Sequence, residues 1–86
     1  MYNNTLEFIE KVKDLAKRHD LEVSITPVEV PIRLWIDKAR VEIRITARCC
    51  TVTDGQGKRE LFEKSLGSWD QMSIEYIEKL LTTYKK

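Results

Sequence analysis

The chain has 86 residues, of which 42% are hydrophobic and 34% charged, with a formal net charge of +1. That length holds one domain at most, residues 1–86, able to bury roughly 60–65% of its unfolded surface. The composition excludes a disordered chain, and no apolar run approaches the ~18 residues needed to span a bilayer. The N-terminal stretch MYNNTLEFIEKVK has no signal-peptide core, so a complete chain of this sequence is expected in the cytoplasm.

The first element is a helix. Asn4 with Glu7 three residues on reads as an N-x-x-E capping box. Phe8, Ile9, Val12, Leu15, Ala16 and His19 fall on one side at 100° per residue, while Glu7–Lys11 and Asp14–Arg18 are favourable pairs on the other. The spacing predicts a helix from Thr5 to His19. LEVSIT then alternates, with Leu21, Val23 and Ile25 on one face, and reads as a half-buried strand. Pro27 and Pro31 bracket a connection, PVEVP, that is unsuited to a sheet interior.

IRLWID and RVEIRITARC both alternate. Folded as a hairpin about Lys38–Ala39, they pair Ile36 with Val41, Leu34 with Ile43 and Ile32 with Ile45 on one face. The other face pairs Asp37 with Arg40, Trp35 with Glu42 and Arg33 with Arg44. A slip by one residue mixes the two sets, so burial selects this register, at the cost of one like-charged pair. Lys-Ala is a poor two-residue turn, and a four-residue loop keeps the same register. A single long strand over residues 31–53 is the alternative.

A second hairpin is marked by Asp54-Gly55 and Gly57 in TVTDGQGKRELF, residues that supply positive φ angles. A register summing to 111 sets Ile45 against Leu66 and Cys49 against Phe62 inside, with Arg48 facing Glu63 and Thr46 facing Ser65 outside. It also turns Lys64 inward opposite Ala47, unless a bulge intervenes. Gly67 ends the strand, and Ser68 with Gln71 reads as a capping box for a last helix with the stripe Ile74, Ile77, Leu80, Leu81 and Tyr84. The expected fold is α+β: a two-layer sandwich of an antiparallel sheet, three to four strands, with both helices on one face, in the order α-β-β-β-β-α.

Chemistry is sparse. Cys49 and Cys50 are adjacent, which suits neither a disulfide nor zinc or C-x-x-C spacing. They read as reduced thiols, at least one packed as a small hydrophobe. The single histidine, His19, sits beside a helix end on the apolar side and reads as a packing residue. No phosphate loop, nucleophile elbow or metal-spaced cluster is present, and G-Q-G at 55–57 is a hairpin turn. No catalytic activity, cofactor or metal is expected.

The positive excess is concentrated in residues 33–48, RLWIDKARVEIRITAR, where five bases meet two acids and four of the six arginines gather beside a tryptophan. The alternation sends Arg33, Trp35, Arg40, Arg44 and Arg48 to the sheet face that no helix covers, with Cys50 and Leu61 expected nearby. Arginine and tryptophan are enriched in interface hot spots, so this face predicts binding to a protein partner or to a second copy of the chain. Trp35 would be the anchor, with the arginines pairing carboxylates.

The alternative is weak nucleic-acid binding by the same residues. The element order resembles the double-stranded RNA-binding domain in outline over most of the chain. That family's last helix begins with a lysine-rich phosphate-binding segment where this chain has SWDQMS, with Asp70, and its glycine-proline-histidine loop is missing. No site residue is carried over from it.

Overall fold

The computed structural model of the chain describes residues 2–26 and 31–84. The elements run α1 (Tyr2–Arg18), β1 (Val23–Thr26), β2 (Ile32–Ile36), β3 (Val41–Ile45), β4 (Cys49–Thr53), β5 (Arg59–Glu63) and α2 (Trp69–Tyr84). The five strands form one antiparallel sheet in the order β1-β2-β3-β4-β5, each paired with its neighbour in sequence. The α+β sandwich is the expected one, with one more strand than the upper estimate. No helix among the described residues is long and apolar enough to cross a membrane. The Pro-bracketed connection at 27–30 lies outside the described residues.

Helix α1 begins at Tyr2, so Asn4 lies within its first turn and is not the N-cap. Its other end is closed by the backbone. Leu21 N–H donates to Ala16 O at 2.8 Å and Asp20 N–H to Lys17 O at 3.0 Å, with Asp20 left-handed at φ 65. This is a Schellman closure built on aspartate where glycine is commoner, and it seats Leu21 and Ala16 in the core.

The β2–β3 hairpin has the expected register, Ile32 opposite Ile45 through Ile36 opposite Val41. Its connection is a four-residue turn, closed by Arg40 N–H to Asp37 O at 3.1 Å and with Arg40 at φ 58. Beyond β3 the structure departs from the expectation of one continuous strand. The Thr46 hydroxyl accepts the N–H groups of Arg48 at 3.2 Å and Cys49 at 3.0 Å, and Thr46 N–H donates to Cys49 O at 2.9 Å. These bonds fold residues 46–48 into a tight turn that starts β4.

The turn changes the phase of β4, while β5 keeps Phe62 inward as expected. Cys50 faces Phe62 and Cys49 faces Glu63, a shift of one residue from the expected register. Cys50, expected on the open face near Trp35, therefore enters the core together with Val52. The expected Ile45–Leu66 pair is not made, because Ile45 pairs with Cys50 and Leu66 lies beyond β5, 60% exposed. Nor does Arg48 pair across from Glu63: its carbonyl instead accepts Lys64 N–H at 2.8 Å.

The β4–β5 turn follows its sequence signal. The Asp54 carboxylate accepts Gln56 and Lys58 N–H, both at 2.9 Å, and Gly57 takes φ 91. A side chain at Gly55 would meet Ala39 O at 3.3 Å, so this turn packs closely on the β2–β3 turn.

Helix α2 starts where the Ser68 carbonyl accepts Met72 N–H at 2.9 Å. Its buried line is Trp69, Ser73, Ile77 and Leu81, an i,i+4 series, with Ile74 and Leu80 beside it. Tyr84, expected in the stripe, is exposed. Ser73 enters the core because its hydroxyl donates to Trp69 O at 2.7 Å, so no buried polar group is left unpaired there. Between the layers lie Phe8, Val12, Leu15, Leu34, Ile36, Ile43 and Ile45, all fully buried.

Leu34→Ala in the second strand should cost about 2–5 kcal/mol in chemical denaturation, the range for a buried Leu truncation. Asp20→Gly should instead stabilise by roughly 0.5–1 kcal/mol, by relieving the left-handed aspartate.

Candidate functional site

The uncovered sheet face is built by cross-strand pairing. One row runs Thr26, Arg33, Arg44, Thr51, Leu61, and the next runs Ser24, Trp35, Glu42, Thr53, Arg59. With strands about 4.8 Å apart, each row spans about 19 Å. The result is a surface with short hydroxyl side chains on β1 and β4, the large groups Arg33, Trp35, Glu42 and Arg44 at its centre, and Leu61 and Arg59 at its β5 edge.

Those large groups are held. Arg33 Nε lies 3.1 Å from Glu42 Oε2, a diagonal ion pair across β2 and β3. Trp35 Nε1–H donates to Asp37 Oδ1 at 3.1 Å, which fixes the indole against the sheet with 36% of its surface exposed. Arg44 is exposed and makes no ion pair among the described residues. Arg33 and Arg44 stand directly opposite each other, an arrangement that costs roughly 0.2–1 kcal/mol unless an anion joins them.

Of the five residues expected on this face, the structure brings three together: Arg33, Trp35 and Arg44. Arg40 lies in the β2–β3 turn and Arg48 in the β3–β4 turn, at opposite ends of β3. The Thr46 turn removes Arg48 from the strand alternation, and the left-handed backbone at Arg40 removes that side chain from it too. Leu61 and Arg59 lie on it as well, because β5 keeps its expected phase with Phe62 inward, and the phase change in β4 adds Thr51 and Thr53. Their signal in the sequence was the TVT alternation, which becomes legible only once Val52 is known to face the core.

A second concave region lies at the end of the sandwich, around Lys64. This side chain does turn towards the helices, as the alternation suggested, and it lies beyond the end of β5 without any bulge. Its Nζ is 3.3 Å from Thr5 Oγ1 and 5.2 Å from the Trp69 ring centroid, with Trp69 in turn against Phe8 at 5.1 Å. Burial pulls the Lys64 ammonium below the ordinary lysine range, partly opposed by Cys50 and Cys49.

Burial pushes the Cys50 thiol up to about 12, against smaller opposing effects from the Ser73 hydroxyl and Lys64. Cys50 is thus held protonated in the core, whereas Cys49 is half-buried at the surface. Among the described residues no group of three His, Cys, Asp or Glu side chains could hold a metal ion.

No protein-family model, curated protein or solved structure matches the chain.

Thiol titration of the folded protein should show one accessible cysteine, lost in Cys49→Ser and retained in Cys50→Ala. Because the folded Cys50 keeps its proton while the unfolded thiol loses it, Cys50 lowers stability as pH rises from the unfolded value, about 8.5, towards about 12. Cys50→Ala should flatten that alkaline decline, read as urea midpoints against pH.

Proposed function

We propose that this is a small non-enzymatic binding protein that acts through its open sheet face on a protein partner, as an inhibitor, a regulator or a subunit. The observation that carries this reading is Trp35, fixed by Asp37 and one-third exposed, at the centre of a face that no other part of the described chain covers. An immobilised indole loses little freedom on binding, and its apolar surface is released from water by a partner. Arg44, with no carboxylate of its own among the described residues, and Arg33, beside it, would take acidic groups of that partner. The mix of charges on the face, with Glu42 paired to Arg33 beside Arg44, favours a partner of mixed charge over a uniform polyanion. A second copy of this chain is the simplest such partner.

Nucleic acid is the second reading, favoured by one feature: the opposed Arg33–Arg44 pair is a ready seat for a phosphate.

Two measurements separate the readings. With the partner, or in self-association followed by sedimentation, Trp35→Ala should weaken binding by about 2 kcal/mol or more, and Arg44→Ala by less. Labelled DNA and RNA should show no anisotropy change at low or physiological salt. Micromolar binding that weakens with salt, with a slope reduced by about one in Arg44→Ala, would replace the protein reading with the nucleic-acid one. Partner binding indifferent to both substitutions would remove this face from consideration.

A further inference from the structure

At the end of the sandwich, sharing Leu61 with the β5 edge of the sheet face, an apolar groove of about 1160 Å³ opens between the start of α1, the β3–β4 turn and the segment joining β5 to α2. Its walls include Leu6, Ile32, Ile45, Leu61 and Trp69, and its charged groups are Lys64, Arg48 and Glu63. We propose that this groove binds a small amphiphilic carboxylate, an alkyl chain ending in a single anionic head, with Lys64 as the ligand of the head group. The groove does not include Trp35 and does not depend on its role.

Three observations select that chemistry. Lys64 is half-buried, yet among the described residues its ammonium is met by one hydroxyl, from Thr5, and a ring face, from Trp69, and by no carboxylate. An ammonium carries three donors, and a charge withdrawn from water is stabilised only when those donors and the charge are matched. A carboxylate matches both.

The groove's charge sets the valence of the head group. Two cations, Lys64 and Arg48, face one anion, Glu63, so the surplus is a single positive charge, suited to a monoanion and unfavourable to a dianionic phosphate. The walls set the body of the ligand. Leu6 and Leu61 are 61% and 53% exposed, a loss that an alkyl chain lying along the groove would reverse. An apolar lining with a few placed polar groups is the usual composition of a small-molecule site.

The experiment is titration calorimetry of the whole chain with dodecanoate below its micellar concentration, run against a dodecyl trimethylammonium salt and a neutral dodecyl glucoside. Saturation at one dodecanoate per chain is expected, about tenfold or more tighter than either comparator. Bound dodecanoate should also slow modification of Cys49, which lines the groove. Lys64→Met should abolish the preference for the anionic head and Lys64→Arg should keep it, with thermal melts showing that both fold. Leu6→Glu, at an exposed position of the wall, provides a second route: its added carboxylate should repel the ligand without touching the core. Trp35→Ala should leave the affinity unchanged.

Equal affinity for the three head groups, unsaturable uptake, or full binding by both Lys64→Met and Leu6→Glu would overturn the proposal. Tighter binding of a short apolar peptide through its free C-terminus would overturn it in favour of a peptide site.

Discussion

The arrangement of this molecule depends on one hydroxyl group. Thr46 follows β3 directly, and its Oγ takes the place of a backbone acceptor for two successive N–H groups, those of Arg48 and Cys49. A strand has a side-chain period of two, so a turn at this point decides which residues downstream face the helices and which face solvent. With the turn in place Cys50 and Val52 join Phe62 in the core, and Cys49, Thr51 and Thr53 are sent outward. A chain that ran straight through residues 46–48 would bury the opposite set.

That local decision explains what could be read from the residues and what could not. The β2–β3 hairpin was legible because six apolar residues pair only one way, and burial penalises every other register. The β4–β5 turn was legible because Asp54 and the two glycines carry turn chemistry of their own. The break after Ile45 was not legible. RVEIRITARC alternates without interruption, and the threonine that ends the strand is a residue type that strands favour. Helix α1 was found but not its start, since capping residues also occur inside first turns. In α2 the buried line was displaced because Ser73, a polar residue, returns its hydrogen to its own helix and so can pack as a small group.

For the functional surface, the consequence is a division of the arginine-rich segment. Composition places four arginines together in 33–48. Geometry separates them into a central pair on the sheet, Arg33 and Arg44, and two turn residues at opposite ends of β3. The centre of the face was visible in the sequence because it belongs to the well-specified hairpin. Its flank on β4 was hidden, because that strand inherits the phase set by Thr46. Clustering along the chain and clustering in space are therefore different statements even within one sheet.

The strictly sequential order of the strands has a further consequence for how the molecule comes into being. Every pair in the sheet joins neighbours along the chain, so each can form as soon as its second strand exists, with little loop entropy to overcome. The helices obey the opposite logic. Phe8 of α1 meets Trp69 of α2, and Thr5 meets Lys64, contacts that join the first elements of the chain to the last. During synthesis α1 is made first, yet it must keep its apolar stripe without its partner helix until the final sixteen-residue helix has emerged. A chain cut short before α2 would hold every strand of its sheet and still leave open the layer that α1 and α2 close together.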